Sequence, residues 1–192
     1  MAALEFAPRE VAELSGAPKS AVEKAIEEKI ISTRMVRIGR RSRRVLAIHA
    51  IAYTKFVRSM PMRMDLKTKR AIARAIAGAT ELEGWSYELS PAAQLHMGPV
   101  VGKTVEHAKA YAAARDRLIV EDPEILGGAP TIRGTRIGVH SILGRLNGGD
   151  TLEDLLEDYP SLTREAVETA AIYARSHPFV GRPGGRPWSS VA

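Results

Sequence analysis

Arg37, Arg40, Arg41, Arg43 and Arg44 crowd into the single stretch RIGRRSRR. A guanidinium is a permanent cation whose planar fork of donors matches phosphate oxygens. Packed this closely, the five repel one another. A phosphate backbone would relieve that repulsion and release counterions. The chemistry on offer is capture of a polyanion, not bond making. The same charges also suit a second use, keeping the edge of a hairpin from pairing with other chains.

Elsewhere the residues that could make or break bonds do not assemble. There is no cysteine, which excludes disulfides, thiolate zinc sites and a cysteine nucleophile. His96 and His107 have no standard metal spacing. His140 precedes a helical pattern without an acidic orienter nearby in sequence. The Gly-rich run LGGAPTIRGTRIGV lacks the G-x-x-x-x-G-K-[ST] string of a phosphate-binding loop, so its glycines are assigned to backbone geometry. No nucleophile–base pair or metal cluster emerges. The expectation is a protein that is not an enzyme, with no catalytic residues, no metal and no cofactor.

The charge is unevenly spread. The net charge of +6 over 192 residues conceals a basic first segment. Residues 1–74 hold 17 Lys and Arg against 7 Asp and Glu, a net of +10, leaving −4 for the remainder. Such asymmetry points to one end that meets a polyanion. The N-terminus lacks the pattern of a signal peptide. No apolar run approaches the ~18 residues that span a bilayer. A soluble, cytoplasmic chain without membrane contact is expected.

The elements that must position the arginines follow from spacing. PREVAELS reads as a helix with Val11 and Leu14 on one face, ended by Gly16. A second helix over roughly 19–29 carries Val22, Ile26 and Ile30. Ser20 and Glu23 have capping-box spacing, with Pro18 as first helical residue the alternative. Two helices joined by a short glycine turn make a helix-turn-helix. Val36, Ile38, Val45 and Ala47 alternate about GRRS, which predicts a hairpin. Helices are expected over 49–60 and 66–77, the latter capped by Asp65, then two strands about Ser90-Pro91 and a helix over 104–118. Within 118–179, Thr131-Ile132 and Arg136-Ile137 read as short β-like runs. Three helices follow, over 139–146, from Asp150 or Thr151, and from Leu162-Thr163. Val167, Ala170, Ala171 and Ala174 form the buried side of the last. Glu153, Asp154, Glu157, Asp158, Glu165 and Glu168 give this module an acidic surface, suited to protein contact rather than phosphate.

Two resemblances attach to these residues. FAPREVAELSGAPKSAVEKAIEEKII, with the following hairpin, resembles the excisionase and MerR-like winged-helix family over about the first 50 residues. That resemblance implies that the second helix enters the major groove by its N-terminal end, which here presents Lys19, Ser20 and Lys24. The acidic Glu23, Glu27 and Glu28 share that helix. DPEILGGAPTIRGTRIGV, GGDTLEDLLEDYPSLT and AIYARSHP closely resemble a small bacterial family of unknown function often described as VapB-like antitoxins. This implies a partner, a PIN-like ribonuclease toxin held inactive. On that reading Arg182 or Arg186 would occupy the toxin's carboxylate cluster while Trp188 anchors in an apolar pocket. A frayed terminus is the other reading of the tail.

The expected fold is mainly α: an N-terminal winged helix-turn-helix and a C-terminal three-helix, homeodomain-like module with short β-strands. The expected divisions are 1–76 for DNA binding and 77–117 as a connector that is either a linker or dimer strands. They continue with 118–179 as the antitoxin-family module and 180–192 as a flexible tail. The expected function is a type II antitoxin that neutralises a PIN-like toxin and, as a homodimer, represses its own operon on double-stranded operator DNA. The alternative is a free-standing DNA-binding transcription regulator without a toxin.

Overall fold

Helical apolar spacing accounts for most of the architecture. The computed structural model describes residues 4–38, 41–60, 62–79, 86–90, 93–96 and 98–178. The order is β1 (Glu5–Phe6), α1 (Pro8–Ser15), α2 (Lys19–Glu27), β2 (Arg34–Ile38), β3 (Arg41–Ala47), α3 (His49–Ser59) and α4 (Leu66–Gly78). Then come β4 (Ser86–Ser90), β5 (Ala93–His96), α5 (Gly98–Leu118), β6 (Ile119–Val120), β7 (Thr131–Ile132), α6 (Val139–Gly148), α7 (Leu152–Asp158) and α8 (Arg164–Ser176). The protein is mainly helical, with a few short strands. Among the described residues no helix is long and apolar enough to cross a membrane.

Local signals set the ends of these helices. Gly16 holds φ 68°, the left-handed geometry that glycine adopts without a Cβ penalty, and its N–H reaches back to Glu13. The Asp65 side chain accepts from the Thr68 N–H at 2.8 Å. Thr151 caps α7 by accepting from the Asp154 N–H at 3.1 Å, and Asp154 answers by accepting from the Thr151 N–H at 2.7 Å. Gly127, Gly128 and Gly134 all hold positive φ (64°, 84° and 77°), the backbone role expected of that glycine-rich run.

Three expectations change. The Ser20–Glu23 capping box does not form: α2 starts at Lys19 after an extended Pro18, so Ser20 already lies inside the helix. Helix α5 starts at Gly98 rather than Thr104, because Pro99 falls in its first turn, where a missing N–H costs nothing. Arg136-Ile137 is not a strand; instead β7 pairs with β6 in the register Ile119↔Ile132 and Val120↔Thr131.

Two apolar clusters form. The first gathers Phe6, Val11, Leu14, Val22, Leu46, Ile51, Phe56, Ile72 and Ile76 from residues 4–79, together with Val101, Val105, Ala108, Tyr111 and Ala112 of α5. The second is built on Ile132, Val139, Ile142, Leu155, Leu162, Val167, Ala170 and Ala174. Helix α8 packs on α6 and α7 and also on α1 and α5, so the two clusters share an interface.

A buried charge sits where these elements meet. Glu10, 2% exposed, accepts from the Ala7 N–H at 2.7 Å and so caps α1. It also accepts from the Tyr111 hydroxyl at 2.8 Å and the Arg115 guanidinium at 3.0 Å. Arg115 reaches on to the Glu5 carbonyl at 3.1 Å and lies over the Phe6 and Tyr111 rings. Removing one partner of a buried, hydrogen-bonded ion pair strands the other charge. Glu10→Ala is therefore expected to lower unfolding free energy by about 2–3 kcal/mol, and Tyr111→Phe by about 1 kcal/mol, in urea denaturation. An effect of Glu10→Ala within the noise of the fit would remove this contact from the account.

Candidate nucleic-acid interface

The hairpin divides its arginines between two faces. Strands β2 and β3 pair as Arg34↔Val45, Met35↔Arg44, Val36↔Arg43, Arg37↔Ser42 and Ile38↔Arg41. Side chains alternate along a strand, and cross-strand partners share a face. Arg43 therefore lies with Val36 and Val45 on one face. Arg37 and Arg44 lie with Met35 and Ser42 on the other, which continues at its base into buried Leu46 and Phe6. The second face overlooks α2, where Arg44 meets the Glu23 carboxylate at 3.3 Å. Glu23 thus braces the hairpin instead of capping its own helix.

The residues expected to bind DNA come partly together. Lys19 and Ser20 are exposed on the first turn of α2. Lys24 is exposed, with a Glu28 oxygen 3.8 Å away one turn on. Arg37 is exposed, Arg43 is half-buried and Arg44 is exposed. Arg40 lies outside the described residues, as do Arg182, Arg186 and Trp188; Arg41 is placed by its backbone register alone.

An open groove of about 510 Å³ collects Lys19, Arg43 and Arg44. It also recruits Arg9, which sequence reasoning passed over. A signal was available: Arg9 sits in the first turn of α1, where the helix dipole disfavours a cation. Arg9, Lys19 and Arg43 make no hydrogen bond or ion pair among the described residues, so three free cations line the groove against one carboxylate, Glu23, already taken by Arg44. Such an arrangement can hold phosphate oxygens by charge and by multiple N–H donors.

The end of α8 closes this groove through Ser176 and His177. His177 stacks on Tyr173, with ring centroids 4.1 Å apart, and its backbone carbonyl meets the His140 Nε2 at 2.7 Å. The Tyr173 hydroxyl donates to Glu121 at 2.9 Å; burial first, then that carboxylate, pushes the phenol above its ordinary value. Arg175 reaches across to Glu13 on α1 at 2.7 Å. The expected acidic surface of this module is largely neutralised locally. Glu153 and Glu168 meet Arg164, Glu165 meets Arg117, Asp158 meets Arg145, and Asp154 serves as a cap. Among the described residues no group of three or more His, Asp or Glu side chains is placed to hold a metal ion.

Comparison with known proteins adds the following. Residues 119–174 match the family described as "Protein of unknown function (DUF433)". This is the module singled out above by its motifs. An uncharacterized protein, y4eO, of Sinorhizobium fredii (strain NBRC 101917 / NGR234) is 38% identical over 84 residues, 44% of this chain. The chain spans only 38% of that relative's length. The crystal structure of Rv2018 from Mycobacterium tuberculosis aligns over 86% of this chain and 95% of its own, at 18% identity and a TM-score of 0.32, too low to equate the folds.

Burial holds the His177 imidazole below its ordinary 6.5, and does the same to His49. The unfolded chain takes up these protons near pH 6.5, the folded chain only at lower pH. Stability therefore falls as pH drops through about 6.5 and levels off below the folded-state values. The urea midpoint is expected to be lower at pH 5 than at pH 7.5, with a smaller drop in His177→Phe, which keeps the ring stack. An equal drop in that variant would show that His177 titrates normally.

Proposed function

We propose that the chain is a DNA-binding antitoxin and repressor. On this reading its N-terminal part is a winged helix-turn-helix, with α1 and α2 as the helix pair and β2–β3 as the wing. The observation that carries the DNA-binding half is the groove between α2 and the hairpin, lined by Arg9, Lys19 and Arg43, none of which makes a hydrogen bond or ion pair among the described residues. Three cations gathered on one concave surface hold each other at an electrostatic cost, and a row of phosphates removes it. The +10 charge of residues 1–74 supports the same reading.

In this proposal Lys19, Ser20 and Lys24 approach the major groove, while Arg37, Arg40, Arg41, Arg43 and Arg44 hold the backbone. A homodimer would present two such units to an operator with two-fold symmetry. The module at 118–179, a homeodomain-like three-helix unit on this reading, and the tail with Arg182, Arg186 and Trp188 would hold a PIN-like ribonuclease toxin. That half rests on the VapB-like resemblance. Its setting would be the cytoplasm.

A second reading, a free-standing regulator, is favoured by one observation. The hairpin and α8 enclose a further crevice, so the C-terminal module has a place to sense a small molecule.

Fluorescence anisotropy with a duplex from upstream of the coding sequence, against a scrambled duplex, tests the first half. Tighter binding of the upstream duplex is expected, and charge reversal at Arg41 and Arg43 together should weaken binding to both about tenfold or more. Equal affinity for both duplexes would remove the repressor role, and unchanged affinity in the variant would remove the wing. Native co-purification tests the second half. A stoichiometric small nuclease, active only after separation, is the expected result, and deletion of residues 180–192 should weaken its inhibition. A chain that purifies alone or with DNA only would replace the antitoxin with the free-standing regulator.

A further inference from the structure

We propose that the crevice between the hairpin and the end of α8 binds a small zwitterion, a carboxylate and an ammonium on an apolar body, as in a free apolar α-amino acid. The crevice holds about 360 Å³, within the range of small-molecule sites. Val36, Val45 and Ile119 form its apolar wall. Val36 and Val45 lie on the hairpin face that also carries Arg43, and Arg44 reaches the rim of the crevice from the other face.

Arg43 and His177 supply unused polar capacity. Arg43 is half-buried, lines the crevice, and has no hydrogen bond or ion pair among the described residues. His177 is assigned by its own contacts. Its Nδ1 lies 3.0 Å from the Tyr173 carbonyl, and a carbonyl only accepts, so Nδ1 carries the proton. In the neutral ring Nε2 is then an acceptor, and no other hydrogen bond of this side chain occurs among the described residues. A ligand must therefore bring an anionic oxygen to Arg43 and an N–H or O–H donor to His177.

The surrounding charges select the class. Glu10 and Asp116 are taken by Arg115, and Glu5 by Arg34; Glu121 accepts the Tyr173 hydroxyl and keeps further acceptor capacity. With Arg43 and Arg44, the lining carries three guanidinium groups and four carboxylates. A dianion such as a phosphate ester would be repelled by that balance. A zwitterion adds no net charge and meets both the free cation and the acceptors on the α8 side. Because one wall is the cationic hairpin, an occupant would link the C-terminal module to the hairpin's position, independently of whether the partner is a toxin.

Isothermal titration calorimetry of the full chain, without DNA, tests this with leucine, isoleucine, methionine and phenylalanine. For leucine, 4-methylpentanoate lacks the ammonium and 3-methylbutylamine lacks the carboxylate. At least one amino acid is expected to bind saturably with Kd below about 1 mM. Its single-charge analogues should bind about tenfold or more weakly. Arg43→Ala should reduce the amino acid to the level of its amine analogue, and His177→Phe to the level of its carboxylate analogue. Absence of saturable binding by all four would overturn the proposal. So would equal binding of the analogues, or unchanged affinity in Arg43→Ala with the fold verified by circular dichroism. Tighter binding of inorganic phosphate than of any amino acid would overturn the zwitterion in favour of a simple anion site.

Discussion

The carboxylate of Glu10 is the contact on which the arrangement depends. It lies 2% exposed and satisfies three donors at once: the N–H that opens α1, the Tyr111 hydroxyl and the Arg115 guanidinium. Tyr111 and Arg115 are on α5, more than a hundred positions along the chain. Arg115 in turn holds the Glu5 carbonyl beside β3, the strand that carries the cationic hairpin. One ion pair therefore fixes the start of the helix pair, the base of the hairpin and the end of α5 in a single geometry. Such a pair adds little net stability over an apolar substitute, and its value lies in specifying one arrangement over near alternatives.

That geometry determines what the surface can do. Helix α5 ends at Leu118, and β6 begins the second module at the next residue. Holding the end of α5 against α1 brings α8 alongside the hairpin, where Arg175 meets Glu13 and His177 lines both grooves. The hairpin then has one face towards α2 and the other towards α8. Arg43 and Arg44 line both the groove open to a polyanion and the crevice with mixed charge. The proposed DNA contact and the proposed ligand site share Arg43, which gives the two modules a physical means of influencing each other.

Much of the helical framework was legible in the sequence, because its signals are local. Val11 and Leu14 on α1, and Val167, Ala170 and Ala174 on α8, repeat at helical spacing and are buried as that spacing requires. Gly16 and Asp65 mark helix ends by backbone and side-chain chemistry that needs no tertiary context. The hairpin over Arg34–Ile38 and Arg41–Ala47 followed from alternation. What escaped is what only the fold assembles. Strand β1 is two residues long and exists because β3 pairs with it. The helix expected from Thr104 begins at Gly98, and α5 runs through Pro99 and Gly102 with Val101 and Val105 buried in the first cluster. The role of Glu10 had no local signal, since nothing nearby in sequence shows that an arginine 105 positions away will cover it. The split of Arg43 from Arg44 was implicit in the two-residue period, but which element each would face depended on long-range packing. The candidate site was legible as a basic stretch and not as a groove, since Arg9 joins it only through the placement of α1.

The central claim is that the groove between α2 and the hairpin holds the phosphate backbone of duplex DNA. The most direct test is the affinity of the full-length chain for a duplex of about 20 base pairs across a series of salt concentrations. Each neutralised phosphate contributes about −0.9 to the slope of log K against log salt. The account predicts a slope of about −3 to −5, set by the free cations of the groove and the neighbouring hairpin. A slope near zero, or no duplex binding at low salt, would contradict it and leave these arginines as the charged guard of a hairpin edge.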